Sequence, residues 1–250
     1  VSILLPHFIR KRGVLSFGKV SMDKNIVKEV TNIGFPSFLG QLSFSIIVFL
    51  HNKALSAYMG EIGISTYSII NYVTTNIYMV LLGLTFGAQP LISYNFGRRD
   101  KEKMLGFYKV NVISSLVVSI SAAAICHIFG TYIVGIFTTD PKVAQLGYNG
   151  LKIACLAYII GSVNLDTLVY YQAVEIPKFS NLISIFRSMI FLPICLFVLP
   201  KIFGLNGIWA SVLTSESITF VVMFIIANVK KYTDIVLNKE ELLEEKVSAL

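Results

Sequence analysis

Three ionisable side chains stand where the sequence is otherwise apolar: Asp166 in NLDTLVYYQ, Arg187 in SIFRSMIF and Glu216 in SVLTSESITF. A charge at the centre of an apolar span costs about 2.5–3.5 kcal/mol or more, so each needs a partner or a task. Arg187 falls about ten residues into its segment, roughly 15 Å deep. Glu216 falls about eleven residues into the next one, entered from the opposite side, and so reaches a similar depth. The two are expected to pair. Such a pair fixes helix packing, or works as a gate or proton-linked pair; the residues leave both readings open. Asp166 has no base at its depth, because Lys152 is 14 residues away. Its carboxyl is bonded to Asn164 and to Ser and Tyr hydroxyls, or faces a wet cavity, or carries a proton.

A second set is uncharged. Ser65, Ser68, Asn71, Tyr72, Thr75 and Asn76 interrupt one apolar stretch. Spacings of three and four put Ser68, Asn71, Tyr72 and Thr75 on one helical face. In lipid that face must look at protein or water. It is therefore helix-packing glue or the lining of a substrate cavity. Gln41, Ser43 and Ser45 add to it from the preceding stretch, and Asn164, Tyr170 and Gln172 from a later one. His7, His51 and His127 are scattered. No metal-ligand spacing, nucleophile–base pair, phosphate loop or dinucleotide fingerprint occurs. The pattern argues against an enzyme and calls for no cofactor. Cys126, Cys155 and Cys195 all lie in apolar stretches and read as small buried hydrophobes.

The elements that must position these residues are membrane spans. Only 14% of residues are charged and 55% are hydrophobic, with a mean hydropathy of +0.72; a soluble domain carries about 25% charge. The net charge of +7 does not indicate nucleic acid, because the bases gather at segment ends, as membrane topology requires. Six spans are predicted, at about 26–55 (broken near Gly34 and Pro36), 63–95, 108–137, 143–174, 178–199 and 208–229. The second and third exceed the ~20 residues a bilayer needs, so they tilt or protrude. Asp140-Pro141 starts the fourth, and LPKIFGLNG is a turn. Pro36, Pro90 and Pro193 lie in or at the ends of spans, where bends and hinges form.

Of the 21 Lys and Arg, Lys53, Lys142, Lys152 and Lys201 fall on one side of this topology and the remaining 17 on the other. The richer side is cytoplasmic by the positive-inside rule. Residues 1–25 read as the end of a preceding span plus a cytoplasmic linker, 26–229 as a six-helix bundle, and 230–250 as a charged cytoplasmic tail.

Three stretches carry a family resemblance: GFPSFLGQLSFSIIVFLHNKAL, GLTFGAQPLISYNFGRRDKEK and LPICLFVLPKIFGLNGIWASVLTSE. Together they resemble the multidrug and toxic compound extrusion (MATE) family, in its second half, over about residues 24–232. The resemblance implies an all-α membrane protein: this chain would be the C-terminal six-helix lobe of a twelve-helix, two-lobe transporter. It implies export of drugs and organic cations in exchange for H⁺ or Na⁺ by alternating access. The partners would be the N-terminal lobe of the same protein, the lipid bilayer, a small-molecule substrate and the coupling ion. It also implies that Gln89-Pro90 breaks its helix and that Tyr94-Asn95 caps the exposed backbone. Sodium-coupled members carry an aspartate on the fourth helix of this lobe, which matches Asp166 or, in another register, Asn164. Their glutamate on the first helix has no counterpart here, and Arg98 stands where Ala often follows the glycine. Taken with the polar faces read above, the candidate substrate and ion residues are Asp166, Asn164, Gln41, Ser68, Asn71, Tyr72, Thr75 and Tyr170, with Arg187 and Glu216 as a structural or gating pair. Two rival readings stand beside the exporter. One is a lipid-linked oligosaccharide flippase of the same superfamily, which would favour several bases in its cavity. The other is a half-size channel or partner subunit.

Overall fold

The computed structural model describes residues 24–228. The expected linker before residue 24, the tail from 230, and the bases in those two segments lie outside the described residues. The described chain is helical: α1 Lys24–Gly97, α2 Lys101–Gly135, α3 Pro141–Ala173, α4 Pro177–Ser184, a π-helix Ile185–Phe191, α5 Leu192–Phe203 and α6 Leu205–Asn228. Two compact units divide at Gly34. In the first, the described residues 24–34 are helical. The second holds the bundle described below.

Among the described residues, five helices are long and apolar enough to cross a membrane, the longest being Phe44–Gly97. At about 1.5 Å per residue its 54 residues would far exceed a ~30 Å hydrocarbon core. It is bent at Gly60, whose φ of 58° and ψ of −136° lie outside the helical region. The second arm then runs back along the first: His51 stacks on Tyr67 at 5.3 Å and Phe44 on Tyr78 at 6.0 Å. The first two expected spans are thus the arms of one bent helix. The break expected near Gly34 and Pro36 is absent, because the backbone there keeps helical angles.

The same corner recurs between α5 and α6. Gly204 has the same φ and ψ as Gly60. Leu55, Gly60 and Gly63 repeat the spacing of Leu199, Gly204 and Gly207. At each corner the second glycine lets backbone approach backbone. A Cβ on Gly63 would sit 2.6 Å from the Leu55 carbonyl oxygen, and one on Gly207 would sit 2.2 Å from that of Leu199. The two corners are tied together, as the Tyr58 hydroxyl donates to the Pro200 carbonyl at 3.2 Å.

The opposite ends are closed without glycine. Arg99 and Glu175 adopt left-handed φ values of 58° and 56°. Asp100 N–H donates to the Asn95 carbonyl and Arg99 N–H to that of Phe96, both at 3.0 Å. Ile176 and Glu175 make the matching pair of bonds to Tyr171 and Gln172. Both ends are Schellman caps, which satisfy carbonyls that the helix leaves open. Gln89-Pro90 therefore does not break α1. The helix continues through Pro90, which removes one N–H from the ladder, and ends seven residues later at Gly97.

Helices α2 and α3 pack closely because one face of each is small. Along α2 the buried stripe is Asn111, Ser115, Ser119, Ala123, Cys126 and Gly130. A Cβ on Gly130 would meet the Tyr148 ring at 2.8 Å. Such stripes let helices approach where lipid supplies no hydrophobic drive. The buried hydrophobic residues form two clusters, one around Leu55, Leu151, Ile208 and Trp209, the other around Leu81, Leu165, Ile183 and Met223. Along α6, Glu216 falls between the two.

Candidate functional site

The fifth span reaches its site through an irregularity. Residues Ile185–Phe191 are π-helical. Pro193 lacks the N–H that would bond the Met189 carbonyl in an α-helix, and its ring crowds that oxygen; a wider turn relieves the crowding. π-turns cluster at functional positions, and this one carries Arg187.

Arg187 Nη2 meets Glu216 Oε1 at 2.5 Å, with the Glu216 side chain 3% exposed and the Arg187 side chain 14%. Asn164 on α3 completes the network. Its Nδ2 donates to Glu216 Oε2 at 2.7 Å and to the Glu216 carbonyl at 3.0 Å. Both carboxylate oxygens of Glu216 are thereby engaged. Gly161, one turn before Asn164, faces the same carboxylate: a Cβ there would lie in van der Waals contact with Glu216, 3.4 Å from Cδ.

Asp166 builds a separate network. Its Oδ1 accepts from Thr85 Oγ1 at 2.6 Å, Asn111 Nδ2 at 2.8 Å and Ser115 Oγ at 3.3 Å. The residue is buried, and its Oδ2 has no hydrogen-bond partner among the described residues. Helices α1 and α2 thus converge on one carboxylate of α3. Thr85, Asn111 and Ser115 were not anticipated as its partners. The available signal was the four-residue spacing of Asn111, Ser115 and Ser119 on α2.

Five of the uncharged candidates, Gln41, Ser68, Asn71, Tyr72 and Thr75, border one or both of two hollows. A groove between the arms of α1 is lined by Asn52, Ser68, Asn71, Tyr72, Thr75 and Asn76, among others. Tyr72 is exposed there and its ring lies 5.3 Å from that of Phe137. A second cavity lies inside the bundle and is lined by Gln41, Asn71, Arg187 and Glu216 among mostly aromatic and aliphatic side chains. Asn71 borders both. Asp166, Asn164 and Tyr170 line neither; Tyr170 instead packs on Tyr108 at 4.6 Å. Among the described residues no group of three His, Cys, Asp or Glu converges to hold a metal ion.

Comparisons with known proteins agree with this architecture. The multidrug export protein MepA of Staphylococcus saprophyticus is 27% identical over 240 residues, which is 95% of this chain and 52% of that protein. MepA of Staphylococcus haemolyticus is 28% identical over 227 residues, 90% of this chain and 50% of its own. The chain thus spans about half the length of the curated relatives it matches. Among solved structures, an outward-facing multidrug resistance MATE family transporter superposes with a TM-score of 0.82 at 19% identity, over 92% of this chain and 52% of its own. A MOP superfamily transporter from Pyrococcus furiosus gives 0.81 at 18%, over 92% and 53%. These two share the fold: an all-α bundle of membrane-crossing helices that makes up half of a transporter. The MatE family model matches residues 36–197. The chain belongs to the MatE family, whose members are membrane transporters and not enzymes.

Proposed function

We propose that this chain is the C-terminal lobe of a secondary active antiporter that exports drugs and organic cations by alternating access, driven by inward H⁺ or Na⁺. The observation that carries the reading is Asp166: a buried carboxylate with one oxygen held by three donors and the other unpartnered. An intramembrane carboxylate of this kind takes a proton or a cation. The groove of Ser68, Asn71, Tyr72 and Thr75 supplies the face that meets substrate. Gln41 borders the inner cavity. Arg187, Glu216 and Asn164 set how α3, the π-helix and α6 pack, and so fix the wall that moves. A flippase would favour several deep bases, whereas Arg187 is neutralised by Glu216.

In this reading residues 26–229 form the lobe, 1–25 lead in from an N-terminal lobe, and 230–250 form a tail. Both ends face the cytoplasm of a cell-membrane protein. Outside-applied thiol reagent should label Thr139→Cys and spare Lys101→Cys; the opposite labelling contradicts the orientation. For transport, the full-length protein expressed in an efflux-deficient strain should lower ethidium accumulation, and collapsing the H⁺ or the Na⁺ gradient should abolish the effect. Unchanged accumulation of ethidium and of a panel of cationic dyes would reject the exporter.

A further inference from the structure

The cavity inside the bundle offers donors and no open carboxylate. Its charged groups are Arg187 and Glu216, which neutralise each other, and both oxygens of Glu216 are already bonded. Two buried polar atoms of its lining have no hydrogen-bond partner among the described residues: Ser184 Oγ and Arg187 Nε. Both residues line the cavity, Ser184 from the last turn of α4 and Arg187 from the π-helix. Ser184 is 1% exposed. A helical serine ordinarily returns its hydroxyl to the carbonyl of the preceding turn, as Ser188 does to Ser184 at 2.6 Å. The Ser184 hydroxyl makes no such bond. The same cavity is lined by the aromatic side chains Phe44, Tyr78, Phe86, Tyr158 and Trp209. Asn71 lies at the border with the outer groove.

We propose that this cavity is a second ligand site, distinct from the carboxylate of Asp166, and that it takes a neutral aromatic molecule whose carbonyl-type oxygen accepts hydrogen bonds from Ser184 Oγ and Arg187 Nε. An apolar, aromatic hollow with a few convergent donors is the usual form of a small-molecule site. An unmet buried donor costs free energy until an acceptor reaches it. An inorganic cation finds no free oxygen of Glu216 here, and a net anion meets a pair whose charge already sums to zero. The proposal rests on the exporter reading for the source of the ligand, from the groove past Asn71.

Trp209 makes the site observable. The purified protein in detergent is titrated with 2-acetylnaphthalene and, in parallel, with 2-ethylnaphthalene, which has the same shape without the acceptor. The signal read is the part of the tryptophan quenching that is lost in Trp209→Phe. Saturable quenching is expected, with the ketone bound more tightly. Ser184→Ala should weaken the ketone about 3- to 10-fold, the worth of one hydrogen bond, and leave the hydrocarbon unchanged. Because Ser184 Oγ has no hydrogen-bond partner among the described residues, this variant breaks no hydrogen bond seen there. Non-saturable quenching, equal affinity for the two probes, or an unaltered ketone affinity in Ser184→Ala would overturn the proposal. Export is measured separately: export without this binding rejects the cavity site alone, and binding without export supports the cavity site while rejecting the exporter.

Discussion

Asn164 and Asp166 lie two residues apart on α3 and serve opposite sides of it. Two residues turn a helix by about 200°. Asn164 therefore reaches α6, where it holds Glu216 Oε2 at 2.7 Å. Asp166 reaches the second arm of α1 and α2, where it accepts from Thr85 and Asn111 at 2.6 and 2.8 Å. One turn of α3 thus joins two polar networks drawn from four helical segments. Movement of this turn would be felt by both.

The Arg187–Glu216 pair should show strong coupling. Removing one partner strands a buried charge, at a cost of about 3–5 kcal/mol. Arg187→Ala and Glu216→Ala should each reduce the level of folded protein sharply, and the double variant should be milder than their sum. Thermal stability of the four proteins closes the cycle; additive effects would mean that the side chains do not interact.

The corner before α6 depends on a missing Cβ. In Gly207→Ala the new carbon would sit 2.2 Å from the Leu199 carbonyl oxygen, and the next two contacts are also backbone. Backbone cannot yield as a flexible side chain can, so a loss of about 3 kcal/mol or more is expected. Gly87→Ala serves as the control, since nothing lies within 4 Å of its Cβ position. Equal melting temperatures for the two variants would contradict the packing at the corner.

The start of α2 should respond to acid. Asp100 caps that helix by accepting from Lys103 N–H at 3.1 Å and pairs with the Lys103 ammonium at 3.1 Å. The Lys103 backbone N–H, then its side chain, hold the Asp100 carboxyl below the ordinary aspartate value. A depressed value means that the cap's stabilisation is present above the unfolded pKa, near 3.9, and is lost as pH falls through the lower folded value. Asp100→Ala should lower the melting temperature at neutral pH and flatten its dependence below about pH 4. An unchanged acid limb in that variant would remove Asp100 from the helix start.

Much of the bundle was legible in the sequence because the solvent is lipid. Long uncharged runs, closed by bases at Arg98–Lys103 and by prolines at Pro141 and Pro177, mark spans without help from tertiary contacts. The meeting of Arg187 and Glu216 followed from depth alone, since both must lie at one level in adjacent helices. Other features were not legible. The partners of Asp166 come from 81, 55 and 51 residues away, and a serine or threonine in a span looks the same whether it bonds its own helix or a distant carboxylate. Helical angles through Gly34, Pro36 and Pro90 were missed because a proline in a membrane helix can be absorbed by its neighbours rather than break the chain. The π-turn at Arg187 depends on how Pro193 is accommodated, which spacing does not encode.

The central claim is that the Asp166 carboxylate couples the ion to export. Asparagine at this position keeps an acceptor for Thr85, Asn111 and Ser115, and places its amide where Oδ2 has no donor to lose. Charge is removed while shape and packing are kept. The most direct measurement is drug efflux by the full-length Asp166→Asn protein, at expression matched to the parent, across a range of pH and Na⁺. The account predicts that the variant reaches the membrane in normal amount and exports poorly under every condition. Efflux equal to the parent, with the same pH and Na⁺ dependence, would contradict it.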